Sequence, residues 1–180
     1  MFVSLPSRKK PAVRWATPAL FATLWMAFLW ATTRPHQTHD SLVTQWGALS
    51  GGMASPEAWL AAVREGTALR LFTALFLHAD WAHLLGNLVF LLIFGLPAER
   101  TMGPWRFLVL FLLGGAVANL AAVLTIGAPD RVIIGASGAV SAVIGAYLAL
   151  FPTAKLGVVL PLGLFLEFVK APASLLIGIW

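Results

Sequence analysis

Residues 132–151 read VIIGASGAVSAVIGAYLALF, an apolar run that is rich in small residues. Because a membrane-spanning helix needs about 20 mostly apolar residues, this run predicts a span. Ser137 lies near its start, between Gly135 and Gly138 and six positions after the charged Arg131. At about 1.5 Å of rise per residue, we expect the Ser137 hydroxyl to lie below the membrane surface. Most hydroxyls in membrane helices only bond a carbonyl or join two helices, so Gly-x-Ser-Gly alone is weak evidence for a catalytic site.

The composition of the whole chain predicts a helical membrane protein. Of its 180 residues, 59% are hydrophobic and only 11% are charged, whereas soluble domains carry about 25% charged residues. The chain has no cysteine, which excludes disulfides and thiolate metal sites. Its net charge of +5 is compatible with a nucleic-acid partner, but the basic residues fall between apolar runs, where they act as topology signals. We therefore expect a lipid bilayer, and no nucleic acid, as the partner.

Four apolar runs predict four complete spans of an all-α bundle. They cover residues 15–33, 71–98, 107–128 and 132–151. The first run follows a basic N-terminal segment, residues 1–14, which is an arrangement that signal peptides share. With 19 residues, the run is longer than a usual signal core and has no clear small-x-small cleavage site. These features favour a retained span.

Three further segments are not predicted to form complete spans. Residues 34–70 form the longest polar stretch, and we expect them to have their own structure against the membrane, with a short helix that begins at Pro56. Residues 156–166 are apolar but too short to cross, so they predict an interfacial segment. Residues 171–180 predict the truncated start of a fifth span. Residues 15–180 together predict one membrane domain that is incomplete at its C-terminus.

The distribution of basic residues predicts the orientation of the chain in the membrane. With the N-terminus inside and four spans, the inner side holds 8 basic residues and the outer side 4, which favours a cytoplasmic N-terminus. Residues 34–70 and the starts of the second and fourth spans then share the outer side. The chain has no organelle signal, so we expect the bacterial inner membrane.

A second polar cluster lies in the second apolar run. If a helix begins near Trp81, His83 and Asn87 lie at positions i and i+4 and share one face, while His78 belongs to the preceding loop. Such residues can simply join two helices, although ionisable residues within spans are functional candidates by default. A metal site at His78, Asp80 and His83 would lack the i, i+4 spacing of a zinc-binding helix. We therefore expect no metal.

The two clusters together fit acyl transfer. A serine nucleophile needs a general base, and the tetrahedral intermediate needs hydrogen-bond donors for its oxyanion. His83 and the Asn87 amide can supply such donors, together with the backbone N–H of Ser137 near a helix N-terminus. This chemistry requires no cofactor, and we expect none.

With both clusters in view, the chain resembles the rhomboid family of intramembrane serine proteases. The resemblance is carried by the motifs His78-x4-His83-x3-Asn87, Gly135-Ala136-Ser137-Gly138 and Glu99-Arg100. It implies a rhomboid-like helical bundle and a hydrolase that cuts transmembrane protein substrates near the outer face. Ser137 would be the nucleophile, and His83 and Asn87 would stabilise the oxyanion. The residues that the resemblance or the flanking pattern predicts to shape the site without reacting are His78, Gly135 and Gly138.

One departure from the family pattern affects the expected activity. The resemblance implies a base histidine on a sixth span, but the four histidines here, at positions 36, 39, 78 and 83, all precede Ser137. We therefore expect the 180-residue chain to be a fragment or a natural truncation, and to be inactive or nearly so. The alternative function is that of a catalytically inactive rhomboid-like protein that binds client transmembrane helices. A transporter or channel would usually need more spans or internal repeats.

Overall fold

The computed structural model describes residues 14–50, 53, 55–126, 131–162, 165–173, 177–178 and 180. The predicted basic segment, residues 1–14, lies outside the described residues apart from Arg14. The helices are α1 Ala16–Thr32, α2 His36–Trp46, α3 Pro56–Arg64, α4 Arg70–Thr73, α5 Trp81–Phe90, α6 Leu96–Met102, α7 Pro104–Thr125 and α8 Ser137–Leu150. Short 3-10 turns flank α4 at Thr67–Leu69 and Ala74–Phe76, and a π-helical turn, Leu91–Gly95, joins α5 to α6. The strands are β1 Ala48–Leu49, β2 Val132–Ile133, β3 Lys155–Leu162 and β4 Phe165–Pro172.

The membrane-spanning capacity of these helices differs. Among the described residues, two helices are long and apolar enough to cross a bilayer, namely the 22-residue helix Trp81–Met102 and the 22-residue helix α7. The apolar helices α1 and α8 are shorter, with 17 and 14 residues. The predominantly helical architecture is confirmed, whereas the count of four complete spans stays a prediction.

The second span starts later than its predicted bounds of residues 71–98. Its helix begins at Trp81, as the polar pattern indicated, because Asp80 caps it by accepting the His83 N–H at 2.8 Å. The preceding residues form the short turns around α4 instead. The helix continues to Met102 through the π-helical turn. Pro97 follows this turn and has no N–H to donate to the carbonyl of Ile93, which explains the local departure from α geometry.

The fourth span is also shorter than residues 132–151. Val132 and Ile133 are β-branched and pair as β2 with β1 in antiparallel register. Gly135 then adopts φ +111°, which no right-handed helix accommodates. As a result, α8 begins at Ser137 itself, so the serine occupies the first helical position.

Residues 155–172 correct the prediction of an all-α fold. Where an interfacial segment was expected at residues 156–166, β3 and β4 pair antiparallel, from Lys155 opposite Pro172 to Leu162 opposite Phe165. Three valines and two phenylalanines in this stretch favour extended structure, and Pro161 disfavours a helix. Of the predicted start of a fifth span, residues 174–176 and 179 lie outside the described part.

Small residues bring α7 and α8 into close contact. A Cβ added at Gly138 would lie 2.5 Å from the Cβ of Ala118, and one added at Gly115 would lie 2.9 Å from the Cβ of Ala139. Close approach of backbones through small residues is the usual way in which membrane helices gain packing energy. The N-terminal part of α8 is therefore held rigidly against α7.

Glu99 joins α6 to the start of α1. This carboxylate is buried, and its two oxygens accept the backbone N–H groups of Ala16 and Thr17, each at 2.8 Å. These N–H groups lie in the first turn of α1, where a helix leaves its donors unsatisfied. A side chain of α6 thus caps α1, which gives a structural role to the Glu99-Arg100 motif.

Candidate active site

The loop before Ser137 is held by backbone hydrogen bonds on both sides. At β1–β2, the Ser50 N–H donates to the Arg131 carbonyl at 2.8 Å, and the Arg131 N–H donates to Ser50 Oγ at 2.9 Å. Further along, the Gly135 N–H donates to the Ala74 carbonyl at 2.8 Å. These bonds join the polar segment 34–70, the turns around α4 and the start of α8. That this side of the bundle faces outward stays a prediction.

His78 lies in the extended segment between α4 and α5 and contacts this loop. Its Nε2 accepts the backbone N–H of Ala136 at 3.4 Å, a long bond that requires an unprotonated Nε2. The side chain is 2% exposed. Burial, and secondarily the neighbouring His83, lowers the pKa of His78 to about 4. His78 is therefore neutral at physiological pH and positions the backbone next to Ser137.

His83 occupies the space that Gly135 leaves free. A Cβ at Gly135 would lie 2.5 Å from both Nε2 and Cε1 of His83, so only glycine allows this approach. The His83 ring also meets the His78 ring edge-on, with centroids 5.1 Å apart. The two imidazoles and the Gly135–Ala136 backbone thus form one contact cluster.

Asn87 lies one helical turn after His83 on α5. Its Nδ2 donates to the His83 carbonyl at 2.8 Å. The side chain is 1% exposed, and its Oδ1 is buried without a hydrogen-bond partner. Since buried polar atoms are normally satisfied, this amide is a candidate for a functional role.

Ser137 itself is exposed, at the first position of α8. The first bond of the helix runs from the Val140 N–H to the Ala136 carbonyl at 2.9 Å. Helix geometry therefore leaves the N–H groups of Ser137 and Gly138 without an intrahelical acceptor, and the helix dipole adds partial positive charge there. This end of α8 can stabilise a developing negative charge.

The structure divides the predicted site residues into two groups. His78, His83 and Gly135 contact one another directly or through Ala136, and Asn87 is bonded to the His83 backbone. Gly138 instead serves the contact with α7. In the described part of the chain, imidazole and carboxylate side chains do not gather in groups of three that could hold a metal ion.

Sequence reasoning did not find the contacts of Trp180. Its Nε1 donates to Ser141 Oγ at 2.8 Å, and its ring lies 4.5 Å from that of Phe90. Ser141 is one turn after Ser137 and is also exposed. The only signal in the sequence was the i, i+4 spacing of Ser137 and Ser141. This spacing does not identify an aromatic partner for Ser141.

Comparison with known proteins defines the family. The model of the Rhomboid domain matches residues 65–179, which is more than half of the chain. The chain belongs to the rhomboid family. This family consists of integral membrane proteins that are generally serine proteases, although some rhomboid-like members are inactive. The resemblance inferred from the histidine, asparagine and serine motifs is thereby confirmed at the level of the family.

Individual relatives are similar over part of their length. The putative rhomboid protease YdcA of Bacillus subtilis is 33% identical over 130 residues, which cover 72% of this chain and 58% of the relative. RHOMBOID-like protein 5 of Arabidopsis thaliana is 34% identical over 48% of this chain and 28% of its own length. The rhomboid protease GluP of Bacillus subtilis is 32% identical over 56% of this chain and 20% of its own length. The chain thus spans less than two thirds of these relatives, and no solved structure gives a significant match.

Proposed function

We propose that this rhomboid chain carries the nucleophile and the oxyanion site of an intramembrane serine endopeptidase that cleaves transmembrane proteins. The observation that carries the proposal is the contact of the His83 imidazole with Gly135, two residues before Ser137. The Ala136 N–H is held by His78 at the same time. The exposed Ser137 therefore directly follows two backbone residues, Gly135 and Ala136, that contact His83 and His78.

The proposed reaction starts with attack of Ser137 Oγ on a substrate carbonyl. The negative charge that forms on the carbonyl oxygen would be stabilised by the Ser137 N–H, the His83 imidazole and the Asn87 amide. Each such donor typically contributes about 10²–10³ to kcat. The Asn87 amide keeps one N–H available, since it has two hydrogens and one bond to a carbonyl.

The general base is a separate requirement of this mechanism. His78 Nε2 already accepts the Ala136 N–H, and His83 cannot donate to the oxyanion and remove the serine proton in the same step. No histidine occurs among residues 138–180. Because general-base catalysis contributes about 10²–10⁴ to the rate, we infer that Ser137 in the 180-residue polypeptide reacts slowly.

We further infer that the cleavage site lies towards the outer face of a bacterial inner membrane and that the N-terminus is cytoplasmic. The excess of basic residues on the predicted inner side, 8 against 4, supports this orientation. The pairing of β1 with β2 is consistent with it, since it links the segment 34–70 to the start of α8.

A non-catalytic role in binding client transmembrane helices is a second candidate. It is favoured by the exposed small residues Ser137, Ser141 and Gly145, which follow one another at intervals of one turn on α8. A face of small residues allows close approach of another helix. In this case, Ser137 would contribute to packing and not to chemistry.

Cleavage of a transmembrane substrate by the whole protein in liposomes distinguishes the two functions. Ser137→Ala should abolish cleavage, whereas Ser141→Ala, one turn further along α8, should retain it. Labelling by a fluorophosphonate should depend on Ser137 and be weak in the 180-residue polypeptide. Undiminished cleavage by Ser137→Ala would rule out the proposed nucleophile, and substrate binding without cleavage by the wild type would favour the non-catalytic role.

A further inference from the structure

Asn119 is a buried polar side chain of α7 that the proposed reaction does not use. It is 4% exposed, and its Nδ2 donates to the backbone carbonyl of Leu71 in α4 at 2.8 Å. Asparagine is a poor helix former, and its amide is costly to bury unless it is hydrogen-bonded. Apolar packing of this 22-residue helix therefore does not account for the residue, whereas a polar bond that joins α7 to α4 does.

The face of α7 that carries Asn119 supports α4 and the turn that follows it. Gly115 lies one helical turn before Asn119 and shares this face. A Cβ added at Gly115 would lie 2.7 Å from Cδ2 of Leu75, in the 3-10 turn after α4. Because apolar contacts are not directional and hydrogen bonds are, the bond from Asn119 is the contact that fixes Leu71 along the axis of α7.

The turn after α4 holds the residues that precede Ser137. Ala74 comes three residues after Leu71, and its carbonyl accepts the Gly135 N–H at 2.8 Å. Gly135 is the residue that leaves room for the His83 ring. A displacement of α4 along α7 would therefore move Gly135 relative to His83.

The start of α8 is attached to the same turn of α7. A Cβ added at Gly138 would lie only 2.5 Å from the Cβ of Ala118, the residue directly before Asn119. One turn of α7 thus contacts α8 through Ala118 and α4 through Asn119. The loop before Ser137 lies between these two supports, and their relative position depends on the bond from Asn119.

We propose that Asn119 is a positioning residue for Ser137, which acts by fixing α4, and with it Gly135, relative to α7. The effect on catalysis rests on the proposed function, whereas the effect on the position of the loop does not. Without the bond, the Ser137 N–H and the His83 imidazole would no longer converge on one oxyanion. Misplacement of reacting groups by about 1 Å can cost about 10²-fold in rate, so a bond outside the reacting atoms can control kcat.

Asn119→Leu tests the proposal, because it removes the donor and keeps a side chain of similar size. With the whole protein in liposomes, kcat per folded molecule should fall about 10–100-fold, while KM stays close to the wild-type value because a buried residue binds no substrate. Asn119→Gln keeps an amide donor and should restore part of the loss. Thr125→Val is the matched control on α7, since it removes a hydroxyl bond of 2.7 Å that stays within the helix, and it should leave kcat unchanged.

Amide hydrogen exchange measures the position of the loop without substrate. Peptides that contain Gly135 should exchange several-fold faster in Asn119→Leu than in the wild type or in Thr125→Val, because the bond to the Ala74 carbonyl opens more often. Asn119→Ala removes the donor without filling its space, and it provides the same comparison if Asn119→Leu does not fold.

Unchanged exchange at Gly135 in the variants without a donor would overturn the proposal. So would a lower melting temperature with an unchanged kcat per folded molecule, which is the result of a purely structural bond. If the wild-type protein binds but does not cleave its substrate, the proposed function fails. The exchange at Gly135 then decides alone, and faster exchange supports the positioning of the loop by Asn119.

Discussion

Two buried polar side chains of the helix Trp81–Met102 are used in opposite ways. Both oxygens of Glu99 accept a backbone N–H of α1, so the hydrogen-bonding capacity of this carboxylate serves the fold. Asn87 makes one bond to its own helix, and its Oδ1 has no partner. The difference is that the fold uses both oxygens of Glu99, whereas the Asn87 amide keeps one N–H for another acceptor.

Among variants that keep the Ser137 nucleophile, Asn87→Ala should give the largest effect on activity. If the amide stabilises the oxyanion, kcat should fall about 10²–10³-fold, while the melting temperature changes little because one local bond is lost. The check is the initial rate of substrate cleavage in liposomes together with thermal unfolding. Leu85→Ala, at an exposed position of α5, is the control that should leave the rate unchanged.

The comparison would break down if Asn87→Ala reduced stability and activity in proportion. Asn87 would then be a structural residue like Glu99, and its amide would have no part in the reaction.

Glu99→Ala should give the largest effect on stability. It leaves two buried N–H groups unpaired, at about 1–3 kcal/mol each, so the free energy of unfolding should fall by about 2–6 kcal/mol. Glu99→Gln should restore part of this loss, since its amide oxygen still accepts one N–H. The cleavage rate per folded molecule should not change, and a selective loss of rate at normal stability would contradict the capping role.

Gly135→Ala should lower both the free energy of unfolding and the rate of cleavage. The φ of +111° is unfavourable for alanine, which costs about 1–3 kcal/mol, and the new Cβ would displace the His83 ring. Gly145→Ala in α8 is the matched control, because its Cβ would have no neighbour within 4 Å. This variant should gain about 0.5–1 kcal/mol from helix propensity, and equal effects of the two variants on cleavage would argue against the contact between Gly135 and His83.

The sequence was sufficient for the predominantly helical class, whereas the catalytic roles of the site residues stay predictions. Hydropathy identified the long helices, because their apolar composition does not depend on tertiary contacts. The i, i+4 spacing of His83 and Asn87 predicted their shared face, and the start of α5 near Trp81 was correct. The expectation that they approach the Gly135 loop rested on the predicted outer side that the two motifs share and on the resemblance of both motifs to the rhomboid family.

Other features depended on contacts that periodicity does not encode. The apolar run at residues 132–151 was interpreted as one helix, but pairing of Val132 and Ile133 with β1 removes its first turn. Residues 156–166 were expected to form an interfacial segment, and the strand pairing of residues 155–172 was not predicted because a short apolar run fits several structures equally well. The role of Glu99 as a cap for α1 was also invisible, since its partners lie more than 80 positions away in the chain.

The smallest predicted effect is the pH dependence of the free energy of unfolding. It tests whether His78 has a structural role. Because the pKa of His78 is lowered to about 4 in the folded protein, the unfolded chain binds a proton below pH about 6.5 that the folded chain does not bind. The free energy of unfolding should therefore decrease as the pH falls, by about 0.7 kcal/mol between pH 7 and pH 6. Chemical unfolding in detergent at several pH values measures this slope, and His78→Gln should flatten it. A protein that becomes more stable over the same fall in pH would show that His78 takes up a proton in the folded state, and its bond from the Ala136 N–H could then not persist.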